Sequence, residues 1–582
     1  MRRMKWHGPL MICALGAVAA LLAGCAAGGT ASKPGPDLAK SQVLRIGLYG
    51  GGSGDIATLD PAIVSDAASQ MVIDLLYDPL VTLDPQMRVE DWGAQSVDVS
   101  ADGLVYTFHL RAGQRFTNGT PVTAANYAYS LDRTLNPCLA SPVSYYLFAI
   151  NDAQRFANET CRNGTISLSP GQSAPVLDTL LGDGITLLDA NTMVITLAQP
   201  AGYFLTALTY PVGDALDPSV IGPDLTGQGR LDTLSKGPHG QGTSGMFAVR
   251  SWDHQSGKLV LAPNPHWWGL AQGKQPYVTE IDFTLYRDES TAVTDFQHGR
   301  TDLVIASAYP TGPYFGAISA QPDHRSTPAF IDYSLTMDWT RAPYNNPDAR
   351  AALCLALDRD ALNQRVYGGL LLPTWHIVPS GMPGYNASLT GPDGVTSTHG
   401  DPAAARVHWQ AYLQSLHGAP PPALAYFYDG DSSSQTKLAT ALAQQWQTVL
   451  GITVTPRAIE YGYLQDSVTH FPLTRFAWQA DYPDPQNFLS LLLTAGSQYN
   501  PGGVSVPEAD TLTQQADASN DPAQRYALYN QAEQLYINAV AWCPIFQGTA
   551  VYLARGQVHG WQLDGRGLTP NDAWLATYIA RT

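Results

Sequence analysis

Short alternating runs and longer amphipathic runs follow one another along the chain, and they predict a mixture of strands and helices. Residues 43–48 predict the first strand, because apolar side chains dominate them and a Gly-rich stretch follows. Residues 435–450 have the spacing of an amphipathic helix that ends at Gly451, and a strand-like run follows at 452–454. Residues 524–537 predict a second amphipathic helix.

The most informative alternation lies in residues 475–481, which run into a turn that contains Pro and Asp. The pattern predicts a strand that ends at this turn. Because side chains alternate across a strand, one face carries charged, polar and small residues and the other carries apolar residues. The first face holds Arg475, Ala477, Gln479 and Asp481, and the second holds Phe476, Trp478 and Ala480.

Arg475 and Asp481 place opposite charges at the two ends of one strand face, roughly 20 Å apart. This spacing suits an elongated zwitterion whose free amine lies at Asp481 and whose carboxylate points towards Arg475. An extended peptide has that shape and those end charges. The alternative is an edge strand whose charges are solvated or paired with neighbouring side chains.

The length and charge of the chain narrow its possible functions. A chain of 582 residues is too long for one core and predicts at least two large lobes. Its formal net charge is -17, and no Lys/Arg-rich run follows the N-terminus. Acidic groups therefore outnumber basic ones, which argues against a nucleic-acid partner.

The N-terminus has the pattern of a targeting segment. An apolar run at 10–22 ends in Leu22-Ala23-Gly24-Cys25, and three basic residues precede it, namely Arg2, Arg3 and Lys5. The ending resembles a bacterial lipobox, in which the cysteine is lipidated and becomes the first mature residue. We expect a lipoprotein signal peptide at 1–24, then a lipidated Cys25 and flexible linker at 25–42; an ordinary secretory signal is the alternative. No later apolar run is long enough to span a bilayer.

The remaining cysteines fit an exported protein. Cys138 and Cys161 bracket a polar loop rich in Gly and Asn, and we expect them to form a disulfide. Cys354 lies in an apolar helical pattern and Cys543 in an apolar strand-like run. These two can pair or remain buried thiols, and we favour buried thiols.

Catalytic and metal-binding motifs are weak in this sequence. Ser434-Gln435-Thr436-Lys437 has the Ser-x-x-Lys spacing of penicillin-binding enzymes, but their Ser-Asp-Asn and Lys-Thr-Gly partners do not occur, so a helix start explains it. Neither His-Glu-x-x-His nor Cys-x-x-Cys occurs, so we expect no zinc site and no cofactor. Asp481 and Asp484 form a carboxylate pair, yet the Pro-flanked turn favours an Asp484 that bonds its own backbone. We expect no enzymatic activity.

Several sequence blocks in a fixed order add a family resemblance. The blocks are residues 102–124, Thr243-Ser244-Gly245-Met246-Phe247, Asn264-Pro265-His266-Trp267-Trp268, residues 346–353 with Leu357-Asp358-Arg359, and residues 478–488. Together they resemble the peptide/nickel class of extracellular solute-binding proteins of ABC importers, and they span nearly the whole mature chain. Asn126 departs from the pattern, because an Asp is common there.

The resemblance implies a two-lobed α/β fold of the periplasmic-binding-protein type II, with an extra subdomain on lobe I. The expected ranges are 43–73, 196–284 and 542–582 for lobe I, 74–195 for the extra subdomain, and 285–541 for lobe II. The lobes should rotate about segments that cross between them, near 286–289 and 539–543. Such rotation would enclose a ligand in the cleft.

The resemblance also implies the ligand contacts. It places the α-amino group of a peptide on Asp481 and its carboxylate near Arg475, which lies six residues earlier. Gln479, Trp478 and Tyr482 complete the expected ligand-binding set, although core packing suits Trp478 equally well. Tyr145 and Tyr146 remain open between the cleft and the core.

The expected function is therefore capture of oligopeptides and their delivery to ABC permease subunits by a monomeric, lipid-anchored, extracytoplasmic protein. One alternative keeps the fold and changes the cargo to a nickel chelate, haem, an opine or an oligosaccharide. Another is an exported signalling or enzymatic protein that uses the cleft differently. A ligand without a primary amine would leave Asp481 unpaired, which separates the first alternative from peptide binding.

Overall fold

The computed structural model describes residues 36–49, 54–162, 165–167, 177–221, 242–305, 318–460, 471–497, 499–500 and 502–581. The expected signal peptide and Cys25 lie outside these residues, as does most of the expected linker. Residues from Leu38 onward belong to one compact unit. Among the residues described, no helix combines the length and the apolar character needed to cross a membrane.

The strands follow the alternating runs of the sequence. In chain order they are β1 (Val43–Tyr49), β2 (Val81–Leu83), β3 (Val89–Asp91), β4 (Ala94–Val99), β5 (Val105–Leu110), β6 (Thr160–Arg162), β7 (Thr165–Ser167), β8 (Ile185–Asp189), β9 (Thr192–Thr196), β10 (Phe247–Asp253), β11 (Lys258–Pro263), β12 (Glu280–Tyr286), β13 (Leu303–Ile305), β14 (His324–Met337), β15 (Leu372–Pro373), β16 (Leu424–Asp429), β17 (Val454–Ile459), β18 (Leu473–Gln479), β19 (Cys543–Ala554), β20 (Val558–His559) and β21 (Tyr578–Ile579).

The helices include both predicted amphipathic ones. In chain order they are α1 (Ala67–Leu76), α2 (Ala124–Leu135), α3 (Ala153–Ala157), α4 (Phe204–Ala207), α5 (Pro218–Ile221), α6 (Glu289–Gln297), α7 (Pro347–Leu355), α8 (Arg359–Tyr367), α9 (Pro402–Ser415), α10 (Ser433–Leu450), α11 (Ser490–Leu493), α12 (Pro507–Asp517), α13 (Pro522–Asn538) and α14 (Asn571–Ala576). α10 begins after Ser432, whose Oγ accepts from the Gln435 amide, and ends at Gly451 in the left-handed region. A helix start therefore explains the Ser-x-x-Lys spacing.

One large sheet joins most strands of the α/β body. Across the sheet the order is β10, β11, β12, β1, β13, β19, β14, β18, β16 and β17, and β15 pairs with β19. β1 is parallel to both of its neighbours, β12 and β13. Its apolar side chains Leu44, Ile46 and Leu48 alternate along the strand on one face of the sheet, and all three are buried.

Two long antiparallel strands, β14 and β19, connect the halves of this sheet. β19 pairs with β13 at its C-terminal end and with β14 along most of its length, while β18 pairs with the other side of β14. The β14–β19 register shifts between Pro328 and Asp332. Gln547 bridges this irregular part, because its amide donates to the Ala329 and Ser380 carbonyls, both at 3.0 Å.

A smaller antiparallel sheet, in the order β4, β5, β9 and β8, lies within the range expected for the extra subdomain. The buried side chains of β5 alternate along the strand and are Tyr106, Phe108 and Leu110. α2 begins after Thr123, whose amide donates to Asn126 Oδ1 at 2.9 Å. The Asn126 amide also donates to the Leu216 carbonyl at 3.0 Å, a bond that a deprotonated aspartate cannot donate.

Two disulfides lie within the residues that the structure describes. Cys138–Cys161 confirms the predicted bridge. The preference for buried thiols at Cys354 and Cys543 was wrong, because these residues also form a disulfide. Both cysteines are buried, as their apolar surroundings indicate, but α7 brings Cys354 to the start of β19. The guanidinium of Arg359 lies beside both sulfurs, at 3.4 and 3.6 Å.

The segment after residue 285 continues one half of the large sheet. The predicted lobe II begins at 285, and the predicted crossing lies at 286–289. In the structure, α6 packs against β1, and β13 pairs with β1 on one side and β19 on the other. The lobe boundaries stay predictions.

A close backbone contact at Gly202 joins the segment after β9 to the region of α12 and α13. The Gly202 amide donates to the Asp517 carbonyl at 2.8 Å, and the Gly202 carbonyl accepts from the Arg525 guanidinium. Arg525 also forms a buried ion pair with Asp484, with 2.7 Å between Nη2 and Oδ2. A Cβ atom at position 202 would collide with the Ser519 carbonyl oxygen. The approach of these two backbones therefore requires glycine.

We expect the double variant Cys138→Ser/Cys161→Ser to lower the free energy of unfolding by roughly 3 kcal/mol, because the bridge restricts the unfolded chain. Urea denaturation of the wild type and the variant measures this change. Peptide mapping without reductant should recover the two cysteines in one linked fragment. Free thiols at both positions in protein recovered from an oxidising compartment would contradict the bridge.

We expect Gly202→Ala to lower the free energy of unfolding by about 1–3 kcal/mol, because the added Cβ must push the two backbone segments apart. Gly556→Ala is the matched control, since a Cβ there meets no atom within 4 Å, and it should change stability by about 0.5 kcal/mol or less. Equal effects of the two substitutions in urea denaturation would show that the contact at Gly202 is unimportant.

Candidate ligand-binding site

The strand predicted over residues 475–481 is confirmed as far as Gln479, where β18 ends. β18 runs antiparallel to β14, and cross-strand partners share a face of the sheet. The partners on the face predicted for charged and small residues are Arg475 with Leu335, Ala477 with Tyr333, and Gln479 with Ile331. Asp481 lies two residues beyond the strand, in the bend that follows it, so strand alternation alone does not fix its direction.

One edge of β18 has little pairing. β16, its neighbour on the side away from β14, pairs with it only between Phe427 and Thr474. In the part of the chain that the structure describes, the stretch from Arg475 to Gln479 has no strand partner on that side. An unpaired strand edge offers backbone donors and acceptors to an extended peptide.

Asp481 is half-buried beside this edge. Its Oδ2 accepts hydrogen bonds from the Tyr145 hydroxyl at 2.9 Å and from the Asn487 amide at 3.0 Å, and Oδ1 takes part in neither. Burial raises the pKa of the Asp481 carboxyl, while hydrogen bonding from Tyr146, Asn487 and Tyr145 opposes this effect. No cation pairs with the carboxylate within the described ranges. A bound ammonium group would offset the cost of burying this charge.

Asn487 connects Asp481 to the predicted site residue Trp478. Its Oδ1 accepts from the Asp481 amide at 3.0 Å and from Trp478 Nε1 at 2.9 Å. Trp478 lies on the face opposite Arg475, where its ring packs near Phe476 and Tyr499. The Trp478 side chain therefore supports the loop that positions Asp481, which agrees with the packing alternative for this residue.

A cluster of tyrosine rings lies beside the Asp481 carboxylate. Tyr145 and Tyr146 stack at 4.5 Å between centroids, and Tyr146 stacks on Tyr210 at 4.4 Å. The predicted site residue Tyr482 is buried, meets Tyr146 edge to face at 5.7 Å, and donates from its hydroxyl to Gln486. Tyr145 thus contacts the candidate site residue Asp481 directly, and Tyr146 packs between Tyr145 and Tyr482.

Arg475, at the other end of the strand, also lacks a carboxylate partner among the residues described. Its guanidinium carbon lies 5.1 Å from the centroid of the Tyr333 ring, and its Nε is buried without a hydrogen-bond acceptor. Burial raises the pKa of the Tyr367 and Tyr426 hydroxyls, and the nearby Arg475 charge opposes this effect. A carboxylate bound here would satisfy the orphaned donor.

Gln479 connects β18 to a C-terminal loop. Its Nε2 donates to the Arg566 carbonyl at 2.8 Å. Within that loop, the Arg566 guanidinium forms a buried ion pair with Asp564 at 2.7 Å. The loop therefore contacts the strand face that carries Arg475.

Asp484 has the predicted structural role. Its Oδ1 accepts from the Gln486 amide at 3.0 Å, and its Oδ2 is occupied by Arg525. The closest grouping of potential metal ligands within the described ranges is Asp358, Asp360 and His399. Local bonds explain these exposed carboxylates, because Asp358 caps α8 and Asp360 accepts from Thr398 at 2.5 Å.

Sequence reasoning did not assign the roles of two contributors to this site. Tyr145 and Asn487 hold Asp481, but the sequence left Tyr145 open between the cleft and the core and gave no role to Asn487 within the block at 478–488. The available signals were the adjacent pair Tyr145-Tyr146 and the amide of Asn487 six residues after Asp481.

Comparisons with known proteins match the whole architecture. A profile described as bacterial extracellular solute-binding proteins, family 5 Middle, matches residues 88–500. The periplasmic oligopeptide-binding protein OppA of Escherichia coli is 26% identical over 556 residues, covering 94% of this chain and 95% of that protein. The Probable deoxycholate-binding periplasmic protein YgiS of the same organism is 27% identical over 531 residues, covering 90% and 92%.

Solved structures show the same fold. The unliganded open form of the periplasmic murein tripeptide binding protein MppA superposes with a TM-score of 0.73 at 24% identity, covering 94% of this chain and 99% of that one. Haemophilus influenzae OppA in complex with the peptide RPPGFSPFR gives a TM-score of 0.67 at 22% identity, covering 94% and 100%. The expected two-lobed α/β fold is thereby confirmed.

The profile covers most of the chain, and the relatives match it nearly end to end. This agreement confirms the resemblance inferred from the sequence blocks. The matched family consists of substrate-binding proteins of ABC transporters and not of enzymes. The chain belongs to the bacterial extracellular solute-binding proteins of family 5.

Proposed function

We propose that this protein captures oligopeptides outside the membrane and delivers them to the permease of an ABC importer. The observation that carries the proposal is the pair Asp481 and Arg475, two charges without ion-pair partners among the described residues, at opposite ends of an unpaired strand edge. The names of the relatives OppA and MppA, which are oligopeptide- and murein-peptide-binding proteins, support it.

The peptide would lie extended along the free edge of β18. Its backbone would take hydrogen bonds from the strand, which favours affinity without dependence on side-chain identity. Its α-amino group would pair with Asp481, and its carboxylate would pair with Arg475. Gln479 and the tyrosine cluster of Tyr145, Tyr146, Tyr210 and Tyr482 would lie on either side of the bound peptide.

We propose that the mature protein is a monomer tethered to the membrane through lipidated Cys25. The lipobox resemblance supports the tether, and the relatives OppA, MppA and YgiS are periplasmic by name. Diacyl and amide-linked chains together supply enough buried methylene for stable anchoring. The binding body would then work outside the membrane, close to the permease.

We expect Asp481→Asn to weaken binding of trialanine by about tenfold or more, because the peptide ammonium loses its charged partner. N-acetylation of the peptide should weaken binding to the wild type by a similar factor, and should have little further effect on the variant. Isothermal titration calorimetry measures all four pairs. Asp98→Asn, which removes an exposed carboxylate elsewhere, is the control and should retain wild-type affinity.

Deoxycholate, which has a carboxylate and no amine, is a second ligand whose binding to the wild-type protein should be compared with that of free peptides. Peptide binding that survives Asp481→Asn unchanged would contradict the assigned amine site. Tight binding of deoxycholate with no detectable binding of any free peptide would contradict the proposed cargo.

We expect peptide binding to bring the lobes together, because a ligand that contacts both lobes only in the closed form must favour that form. The irregular part of β14 and β19, near Pro328 and Gln547, is our proposed site of bending. Small-angle X-ray scattering should give a smaller radius of gyration with saturating peptide than without. An unchanged radius of gyration, with binding verified independently, would contradict closure.

A further inference from the structure

Asp74 has no structural role that its contacts explain. It lies on α1, half-buried, among neighbours on the same helix that are mostly buried and apolar. Within the described ranges, neither a hydrogen bond nor an ion pair reaches its carboxylate. A carboxylate in such a position is costly unless a partner offsets its desolvation.

Two other parts of the chain face Asp74. The C-terminal loop brings the charges of Arg566 and Asp564 near it, but Arg566 is already committed to Asp564 through Nη2 at 2.7 Å and Nε at 3.1 Å. The turn after α4 brings Tyr210 and Asp214 near it. The Tyr210 hydroxyl donates to the Val64 carbonyl at 2.8 Å, and Tyr210 and Asp214 carry no positive charge, so Arg566, which is paired with Asp564, is the cation near Asp74 in this part of the described chain.

Both neighbours of Asp74 adjoin the proposed peptide site. Tyr210 stacks on Tyr146, Tyr146 stacks on Tyr145, and Tyr145 donates to Asp481. The pKa of the Tyr210 hydroxyl is raised by burial and then by the charges of Asp481 and Asp74, so both carboxylates lie near this one ring.

On the other side, the Arg566 carbonyl accepts from Gln479 on the face of β18 that also carries Arg475. Asp74 therefore lies near two segments, the Tyr210 turn and the C-terminal loop, that each contact residues of the proposed site.

We propose that Asp74 is a second cation-recognising group of this site and that it selects peptides with a lysine or arginine side chain near the N-terminus. The proposal rests on the proposed function, because Asp481 takes the α-amino group and leaves Asp74 for a second positive charge. A side-chain ammonium or guanidinium reaching past the tyrosine stack would complete the unpaired carboxylate.

The ionisation of Asp74 gives this selectivity a pH dependence. Burial raises the pKa of Asp74 to about 7, while Arg566 lowers it and Asp564 raises it. Above that pH the carboxylate is charged and attracts a cation, and below it the carboxyl is neutral. Preference for cationic peptides should therefore decline as the pH falls through about 7. Protonation of Asp481 affects a lysine peptide and its neutral analogue alike, so it cancels in their affinity ratio.

The test compares Lys-Ala-Ala and Ala-Lys-Ala with the same peptides carrying norleucine, which keeps the length of the side chain without its charge. Calorimetry on the wild-type protein should show about tenfold tighter binding of the lysine peptide in at least one pair, equivalent to about 1.4 kcal/mol. Asp74→Asn should reduce that preference below about twofold while leaving the norleucine affinity nearly unchanged. Asp98→Asn should retain the wild-type preference.

Absence of a lysine preference in the wild type, or a preference that persists in Asp74→Asn, would overturn the proposal. Failure of the wild type to bind both lysine and norleucine peptides would contradict the proposed function and this inference with it. If Asp74→Asn does not fold, the pH series on the wild type decides, since a lysine preference that stays constant between pH 8 and pH 5.5 would also overturn it.

Discussion

The rest of this site is arranged around the carboxylate of Asp481, which is partly buried and has no cation beside it among the described residues. Asp481 keeps its place because Tyr145 and Asn487 both donate to one of its oxygens. Neutral donors reduce the cost of burying the charge, but they do not cancel the charge itself. The tyrosine cluster, the bend after β18 and the support of Asn487 by Trp478 all serve to hold a negative charge at one point.

The distribution of local and distant contacts explains how much of the site could be read from the sequence. Alternation in residues 475–479 was sufficient to place Arg475 and Gln479 on one face, because a strand fixes side-chain direction locally. The role of Asp484 followed from turn chemistry within a few residues. Tyr145 donates to Asp481 from 336 residues away, and no pattern near either residue specifies that meeting.

For the fold, too, the sequence predicted local features but not the contacts between distant parts of the chain. Ordered sequence blocks identified the two-lobed architecture, since each block corresponds to a local element and their order is shared by the family. Burial of Cys354 and Cys543 was visible in their apolar surroundings, but their pairing depends on how α7 meets β19. The placement of β13 beside β1 likewise depends on the order of strands in the sheet, which the helical pattern of α6 does not encode.

The two strands that join the sheet halves have a mechanical consequence. Sliding β14 along β19 by one residue would turn every side chain of one strand to the opposite face, so the connection is stiff against shear. Bending is easier, because the irregular register near Pro328 and Asp332 already interrupts the ladder. The β14–β19 connection is therefore expected to bend more easily than its two strands slide past each other. Any swing of the sheet halves therefore preserves the alignment of β18 with β14, and residues that face the cleft in one position still face it after the swing.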